Sequence, residues 1–317
     1  MNKKQTLIFA IISLGLAFVP ILIKKDSIIN YLCMILLYIT LASSWNIIGG
    51  YTGQINLGHA AFFGLGSLTT RSLWFAGLPL IVSLLLGGIV AVLFALLIGS
   101  PAFKLRGAYF SIGTLALAQI LFATVGNLFP TISSLPIQDL STYQLSSRYL
   151  LFLVLALFTT IFAYFLTNSG FGLGMMSVRE EEDAAESLGV NAFQHKLMAL
   201  LVSSFLAGLA GGAFAYYHVG YYPQFPFGSV WTFDSMMMAY IGGTGTIIGP
   251  VIGAIFFVVL KEFLTLNLAE IHLTVFGILF ILVVLFLPGG IVGLWKKIQK
   301  IRLKKRNQKS DVRLPNH

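Results

Sequence analysis

Four polar side chains, Thr52, Gln54, Asn56 and His59, fall within eight residues of a glycine-punctuated stretch, IGGYTGQINLGHA from Ile48 to Ala60, that separates two long apolar runs. With Gly53 they offer hydrogen-bond donors and acceptors suited to handling a polar solute, not to breaking a bond. A second stretch, IGGTGTIIGP from Ile241 to Pro250, repeats the pattern and adds Gly243, Thr244 and Gly245. Irregular backbone at membrane depth survives only where protein buries it or where it lines a water-filled cavity. Paired interruptions in two halves of a chain point to a transport site. The competing account is that these glycines let helices pack closely. Close packing is the favoured account of the second stretch, whose side-chain donors are Thr244 and Thr246. Four costly polar groups tip the first toward a solute path.

The other chemically distinctive segment is SGFGLGMMSVREEEDAAESLGVN, from Ser169 to Asn191, which holds five of the eleven acidic residues. Arg179, Glu180, Glu181, Glu182, Asp183 and Glu186 cannot lie in hydrocarbon, where each costs roughly 2.5 to 3.5 kcal/mol on insertion scales. The segment is therefore expected in water. Acids in the first turn suit the helix dipole, and Gly189 and Asn191 supply a stop. The pattern predicts one short amphipathic helix from about Glu181 to Leu188. The adjacent Ala184 and Ala185 would allow a partner to approach closely, with Leu188 on the face of Ala184. A solvated connecting helix is the plainer alternative.

No GxxxxGK[ST] stretch occurs, so this chain has no phosphate-cradling loop of its own. CxxC and HExxH are also missing, and the five histidines are scattered. No enzymatic activity, resident cofactor or metal is expected. An ion-coupled secondary transporter would place ionisable residues mid-membrane. Asp234, Glu262 and Glu270 instead map near the ends of apolar runs, with Lys261 beside Glu262.

The positioning elements follow from composition. With 57% hydrophobic and 10% charged residues and a mean hydropathy of +0.88, the chain is too apolar for a soluble domain, which averages about 25% charged. Runs long enough to span, about 20 residues each, lie near 6–23, 28–48, 57–76, 79–99, 108–129, 149–167, 196–217, 248–267 and 270–288, with a shorter one at 233–247. Residues 1–23 carry no small-residue cleavage pattern around Ala17 to Pro20, so a retained first span is expected. The expected fold is all-α and polytopic: about ten transmembrane helices with glycine-broken short segments and a cytoplasmic coupling helix. Residues 1–295 would form the membrane domain, including the coupling loop 169–195, and 296–317 a basic tail. The net charge of +9 is a topology signal and not a nucleic-acid footprint, because nine of the twenty basic residues lie between Lys296 and Arg313. Anionic lipid is the second reading of that tail. With ten spans the basic residues divide fifteen to five, both termini on the richer side; Lys24, Lys25, Arg71, Arg148 and Lys261 fall opposite.

GYTGQINLGHAAFFGLG at Gly50 to Gly66, VREEEDAAESLGV at Val178 to Val190, FLAGLAGGAFA at Phe205 to Ala215, GGTGTIIGPVIGA at Gly242 to Ala254 and FLPGGIVGL at Phe286 to Leu294 together resemble the permease subunits of branched-chain amino acid ABC importers, M-type. The resemblance covers most of the chain in order, and urea and short-amide importers share the permease type. It implies a bacterial cytoplasmic (inner) membrane protein that pairs with a second homologous permease, sits on two ABC ATPase subunits that use the ATP, and receives solute from an extracytoplasmic substrate-binding protein. The family's ATPase-docking motif would fall on Arg179, Glu180, Asp183, Ala184, Ala185, Glu186, Leu188 and Gly189. One departure is the absence of glycine between Gly126 and Gly170, where similar permeases carry a glycine-rich outer loop.

The fifteen-to-five partition generates a topology test. Cysteines introduced at Ser187 or Gln299 are expected to resist an impermeant thiol reagent in intact cells and to react once the membrane is opened. Labelling from outside would overturn the ten-span arrangement.

Overall fold

A computed structural model describes residues 3–23, 25–134, 143–267, 271–286, 289–295 and 297–299. The rest of the basic tail and the middle of the outer loop that lacks glycine lie outside the described residues. Apolar runs fold as helices because hydrocarbon offers no partner for backbone N–H and C=O groups. In chain order they are α1 (Lys3–Leu22), α2 (Asp26–Asn46), α3 (His59–Phe75), α4 (Leu80–Ala102), α5 (Ala108–Leu128), α6 (Leu145–Thr167), α7 (Gly170–Glu180), α8 (Glu182–Ser187), α9 (Ala192–Tyr217), α10 (Val230–Gly242), α11 (Gly249–Asn267) and α12 (His272–Phe286). A two-residue antiparallel pair, β1 (Ser133–Ser134) with β2 (Gly220–Tyr221), is the one sheet among the described residues.

Among the described residues, six helices have the length and hydropathy to cross a bilayer: α2 with its continuation to Tyr51, α4, α5, α6, α9 and α11. The four further expected crossings fall on α1, α3, α10 and α12. The first has 20 residues, α3 and α10 have 17 and 13, and 15 residues of α12 are described. The shortfall has a physical source in α3 and α10. Chain that would have lengthened them is irregular and partly buried: residues 52–58 before α3, where Gly53 and Ile55 are exposed, and 222–229 before α10, where Tyr222 and Phe225 are exposed but the 3-10 turn Phe225–Phe227 buries Phe227 over Gly64.

The most enclosed helices are α2 and α9, with 83% and 72% of their central windows buried, against 22% to 39% for α4, α5, α6 and α11. The first pair therefore forms the core and the others its lipid- or partner-facing perimeter. Backbone closeness holds this core together. Gly208 of α9 lies against Gly88 and Ala91 of α4, Gly211 lies on the backbone of Phe63 in α3, and a Cβ at Gly66 would overlap the backbone of Gly208. Without a hydrophobic driving force between helices in lipid, such contacts supply the dispersion energy that joins them.

At one end of the bundle, two arginines close the C-terminus of α9. Arg71 donates to the carbonyls of Ala215, His218, Val219 and Ser133 at 2.9 to 3.1 Å, and Arg148 donates through Nε to Tyr216 at 3.1 Å. These are the carbonyls a helix end leaves orphaned, and cations there complement the helix dipole. Both residues are buried, and they act as structural caps. We refer to this as the arginine end.

The glycine contacts predict stability directly. Gly211→Val should force apart α3 and α9 and cost at least about 1 to 3 kcal/mol by overpacking, read as a lower melting temperature in detergent. Gly170→Ala, where an added Cβ meets nothing within 4 Å, should leave it unchanged.

Candidate functional site

Opposite the arginine end, the two glycine stretches meet. Past Asn46, α2 widens into a π turn, Ile47–Tyr51, a form that recurs at functional positions. The Asn46 side chain clasps the second stretch with both its atoms. Its Nδ2 donates to the carbonyl of Thr246 at 3.0 Å, and its Oδ1 accepts from the Gly245 N–H at 2.9 Å. Arg179, arriving from α7, donates through Nη1 to the carbonyl of Gly50 at 2.6 Å. Its methylenes rest on Gly53, and its guanidinium occupies the space a side chain at Gly245 would need. Gly53 and Gly245 both have φ of +72°, a region closed to most side chains. One arginine thus ties the acidic segment to both breaks in the bundle.

The polar residues of the first stretch turn inward. Thr52 donates back to the carbonyl of Ile48 at 2.6 Å. Asn56 accepts from the Gly58 N–H at 2.8 Å through Oδ1, and its own carbonyl accepts from Trp45 Nε1 at 2.8 Å. His59 Nε2 lies 2.9 Å from Ser44 Oγ. All three are at most 1% exposed; Gln54 is half-buried and Gly53 exposed. Asn56 Nδ2 and His59 Nδ1 are buried with no hydrogen-bond partner among the described residues, while Thr52 and Asn56 bond the backbone of the break itself. In the second stretch Thr246 does the same, donating to Gly243 at 2.7 Å and accepting from Gly249 at 3.0 Å. Gly243 is buried at φ +123°, and Thr244 is half-buried.

The helix expected in the acidic segment from about Glu181 to Leu188 is α8, and a second helix not expected, α7, precedes it. Glu181 is extended and separates α7 from α8. Its stop is a Schellman motif: Gly189 N–H bonds to Glu186, Val190 N–H bonds to Ala185, and Gly189 has φ +87°. Asn191 serves the next element, its Oδ1 capping α9 by accepting from Gln194 N–H at 2.9 Å. The alanine pair divides. Ala185 is buried against Val178 and Ala192 of its own chain, whereas Ala184 is exposed and Leu188 is 85% exposed. Glu180, Asp183 and Glu186 are exposed as well. Lys196 pairs with Glu182 beneath α8. The Arg106–Asp183 pair, at 3.8 Å and open to solvent, contributes little.

Sequence reasoning missed a third feature. Asp234 of α10 and Lys261 of α11 are an ion pair, Lys261 Nζ to Asp234 Oδ2 at 3.1 Å, and Tyr38 of α2 donates to the same oxygen at 3.0 Å. Asp234 was placed at a span end because α10 was read as a continuous crossing. Asp234 is buried, 7% exposed, and lies eight residues, or about 12 Å at 1.5 Å per residue, from the glycine turn. Lys261 is twelve residues from Gly249, about 18 Å. The pair is therefore within the helical bundle, beside a cavity of about 520 Å³ that Tyr38, Asp234 and Lys261 line with Gln119, Gln224 and Trp231. The readable signal was two opposite charges in facing apolar runs.

Helices of this length and apolarity define a multi-pass membrane protein. Residues 27–284 match the family described as "Branched-chain amino acid transport system / permease component", and the chain belongs to that family. It is similar to the high-affinity branched-chain amino acid transport system permease protein LivM of Salmonella typhimurium, 25% identical over 95% of this chain and 77% of the relative. The protein of the same description from Escherichia coli is 24% identical over the same shares. A probable branched-chain amino acid transport permease protein LivM of Methanocaldococcus jannaschii is 23% identical over 68% of this chain and 67% of its own. No solved structure matches.

The junction predicts that Arg179→Met, which keeps the stem and removes the donor, will lower transport by about tenfold or more while the chain still inserts and assembles. Arg179→Lys should rescue poorly, because an ammonium lacks the planar fork. Uptake by the assembled complex is the measurement, and full uptake by Arg179→Met would reduce the contact to decoration.

Proposed function

We propose that this chain is the M-type permease subunit of an ABC importer that moves branched-chain or other small amino acids across the bacterial cytoplasmic membrane. It pairs with a second homologous permease, rests on two ATPase subunits through the segment around α8, and accepts solute from an extracytoplasmic binding protein at the arginine end. Ten crossings, with both termini and residues 169–195 in the cytoplasm, fit this reading. The names carried by its relatives support the solute class.

The observation that carries the proposal is the contact of Arg179 with Gly50. A water-exposed helix pair that offers a bare leucine to a partner also reaches, through one side chain, the two places where the membrane helices are broken. Nucleotide-driven motion of a partner at α8 thus has a mechanical route to the bundle. A second reading, ion-coupled transport, is favoured by one observation, the carboxylate of Asp234 inside the bundle. Leucine uptake into vesicles holding the complete complex separates the two. ATP hydrolysis inside the vesicles should drive uptake that survives collapse of proton and sodium gradients. Import of urea or an amide in place of amino acids would follow if the cognate binding protein retained those solutes.

The geometry of α8 also sharpens where a docking test must act. Leu188→Glu changes an outward side chain and should cut binding-protein-stimulated ATP hydrolysis and uptake by about tenfold without altering the stability of the isolated chain. Ala185→Arg should instead destabilise the chain itself, because it forces a charge between Val178 and Ala192. Stimulated hydrolysis unchanged in Leu188→Glu would remove α8 from the ATPase interface.

A further inference from the structure

We propose that the Tyr38–Asp234–Lys261 cluster is a transit site for a zwitterion: Asp234 receives the α-ammonium of an amino acid, Lys261 its carboxylate, and the apolar wall of the cavity its side chain. The inference rests on the proposed transport of amino acids and assigns the site within the membrane where charge is recognised.

Three observations carry it. First, the pair faces a cavity and is not sealed by packing: the Lys261 side chain is 37% exposed and that of Asp234 10%, and both line the 520 Å³ space. Second, the pair is incompletely bonded. Tyr38 and Lys261 both donate to Oδ2 of Asp234, and Oδ1 has no hydrogen-bond partner among the described residues. The ammonium of Lys261 makes that one hydrogen bond and otherwise faces the rings of Tyr38 and Phe257 at 6.0 and 5.4 Å. A purely structural ion pair in so apolar a place would be expected to satisfy its remaining lone pairs and protons. Third, the rest of the lining suits an amino acid. Phe122, Phe225, Val230 and Trp231 present apolar and aromatic surface, while Gln119 and Gln224 stand at its polar side.

Chemically, the solute offers an ammonium and a carboxylate one carbon apart, the same two groups that the protein holds together. Entry of the zwitterion lets each protein charge exchange its partner for the solute's, so no charge is left unpaired at any stage. Release restores the internal pair. The site thereby resets itself and holds the solute only as tightly as its contacts exceed those of the protein pair, which suits a waypoint better than a storage site.

The test is a double-mutant cycle in the reconstituted four-subunit complex with leucine and its binding protein. Asp234→Asn and Lys261→Met singly each leave one buried charge alone and should assemble poorly. The double variant removes both and should recover assembly and stimulated ATP hydrolysis to near wild-type levels. Its leucine uptake should nonetheless stay below about one tenth, so that solute moved per ATP falls. If the double variant recovers uptake along with assembly, the pair is structural and the proposal fails. A milder change guards against misfolding: Asp234→Glu keeps the ion pair but carries the carboxylate further into the cavity, and it should lower maximal uptake severalfold at unchanged assembly. Unchanged maximal uptake in Asp234→Glu would likewise overturn the proposal. Wild-type uptake that needs an ion gradient in place of ATP would overturn the importer reading instead, so the two failures are distinct.

Discussion

Hydrocarbon cannot hydrogen-bond a peptide group, and the structure is arranged around the places where this chain departs from helix in spite of that. Among the described residues, the two glycine breaks draw donors and acceptors from the bundle itself. Asn46 spends both side-chain atoms on the Gly245–Thr246 turn, Trp45 caps the carbonyl of Asn56, and Thr246 closes the turn that begins α11. At the other end Arg71 and Arg148 gather the carbonyls that end α9. Each unsatisfied group in such surroundings would cost several kcal/mol, so these side chains are fixed by the breaks they serve. The close glycine contacts among α3, α4 and α9 then set the helices near enough for one side chain to serve two of them.

The same requirement joins the acidic segment to the membrane domain. A carbonyl freed by the π turn at Gly50 needs a donor, and the donor comes from α7. A charge-assisted bond of this kind is roughly twice as strong as a neutral one, and the glycine at 245 leaves room for the guanidinium that makes it. Displacing α7 therefore shifts Gly50 and the Gly245 turn together, because Asn46 already couples the two. In the importer reading, force applied at Leu188 would reach the bundle through α8, the extended residue Glu181 and Arg179, a path of one bend and one hydrogen bond.

The helical class, the apolar runs and the two glycine stretches could be read from composition and spacing alone, because a lipid environment translates hydropathy into helix with few alternatives. The side chains of the first stretch were harder. Thr52, Asn56 and His59 are polar residues in apolar surroundings, and sequence cannot say whether such a group faces a solute or a backbone carbonyl; here their bonds are to Ile48, Gly58 and Ser44. Ala185 posed the same ambiguity on a helix too short for a periodic pattern to resolve its faces. Arg179 was picked out as part of a docking motif, and its bond to Gly50, 129 residues away, had no signal in the spacing. Asp234 and Lys261 were discounted because they map near the ends of apolar runs, and nothing in the spacing of either run shows that the two charges face one another.

The pair of Asp234 and Lys261 at the cavity carries an electrostatic consequence for selectivity. The cluster of Asp234 and Lys261 has no net charge, so a zwitterion entering it leaves the total at zero, and the attraction between the paired groups offsets their loss of water. A cation or an anion of similar size would leave one unit of charge unpaired in a low-dielectric space, where effective penalties run to several kcal/mol per ion. A neutral amide would bring dipoles that compete weakly with an existing ion pair. Preference for a dipolar ion over either kind of net charge thus follows from the neutrality of the cavity as much as from any contact within it. It would act on top of whatever choice the binding protein has already made.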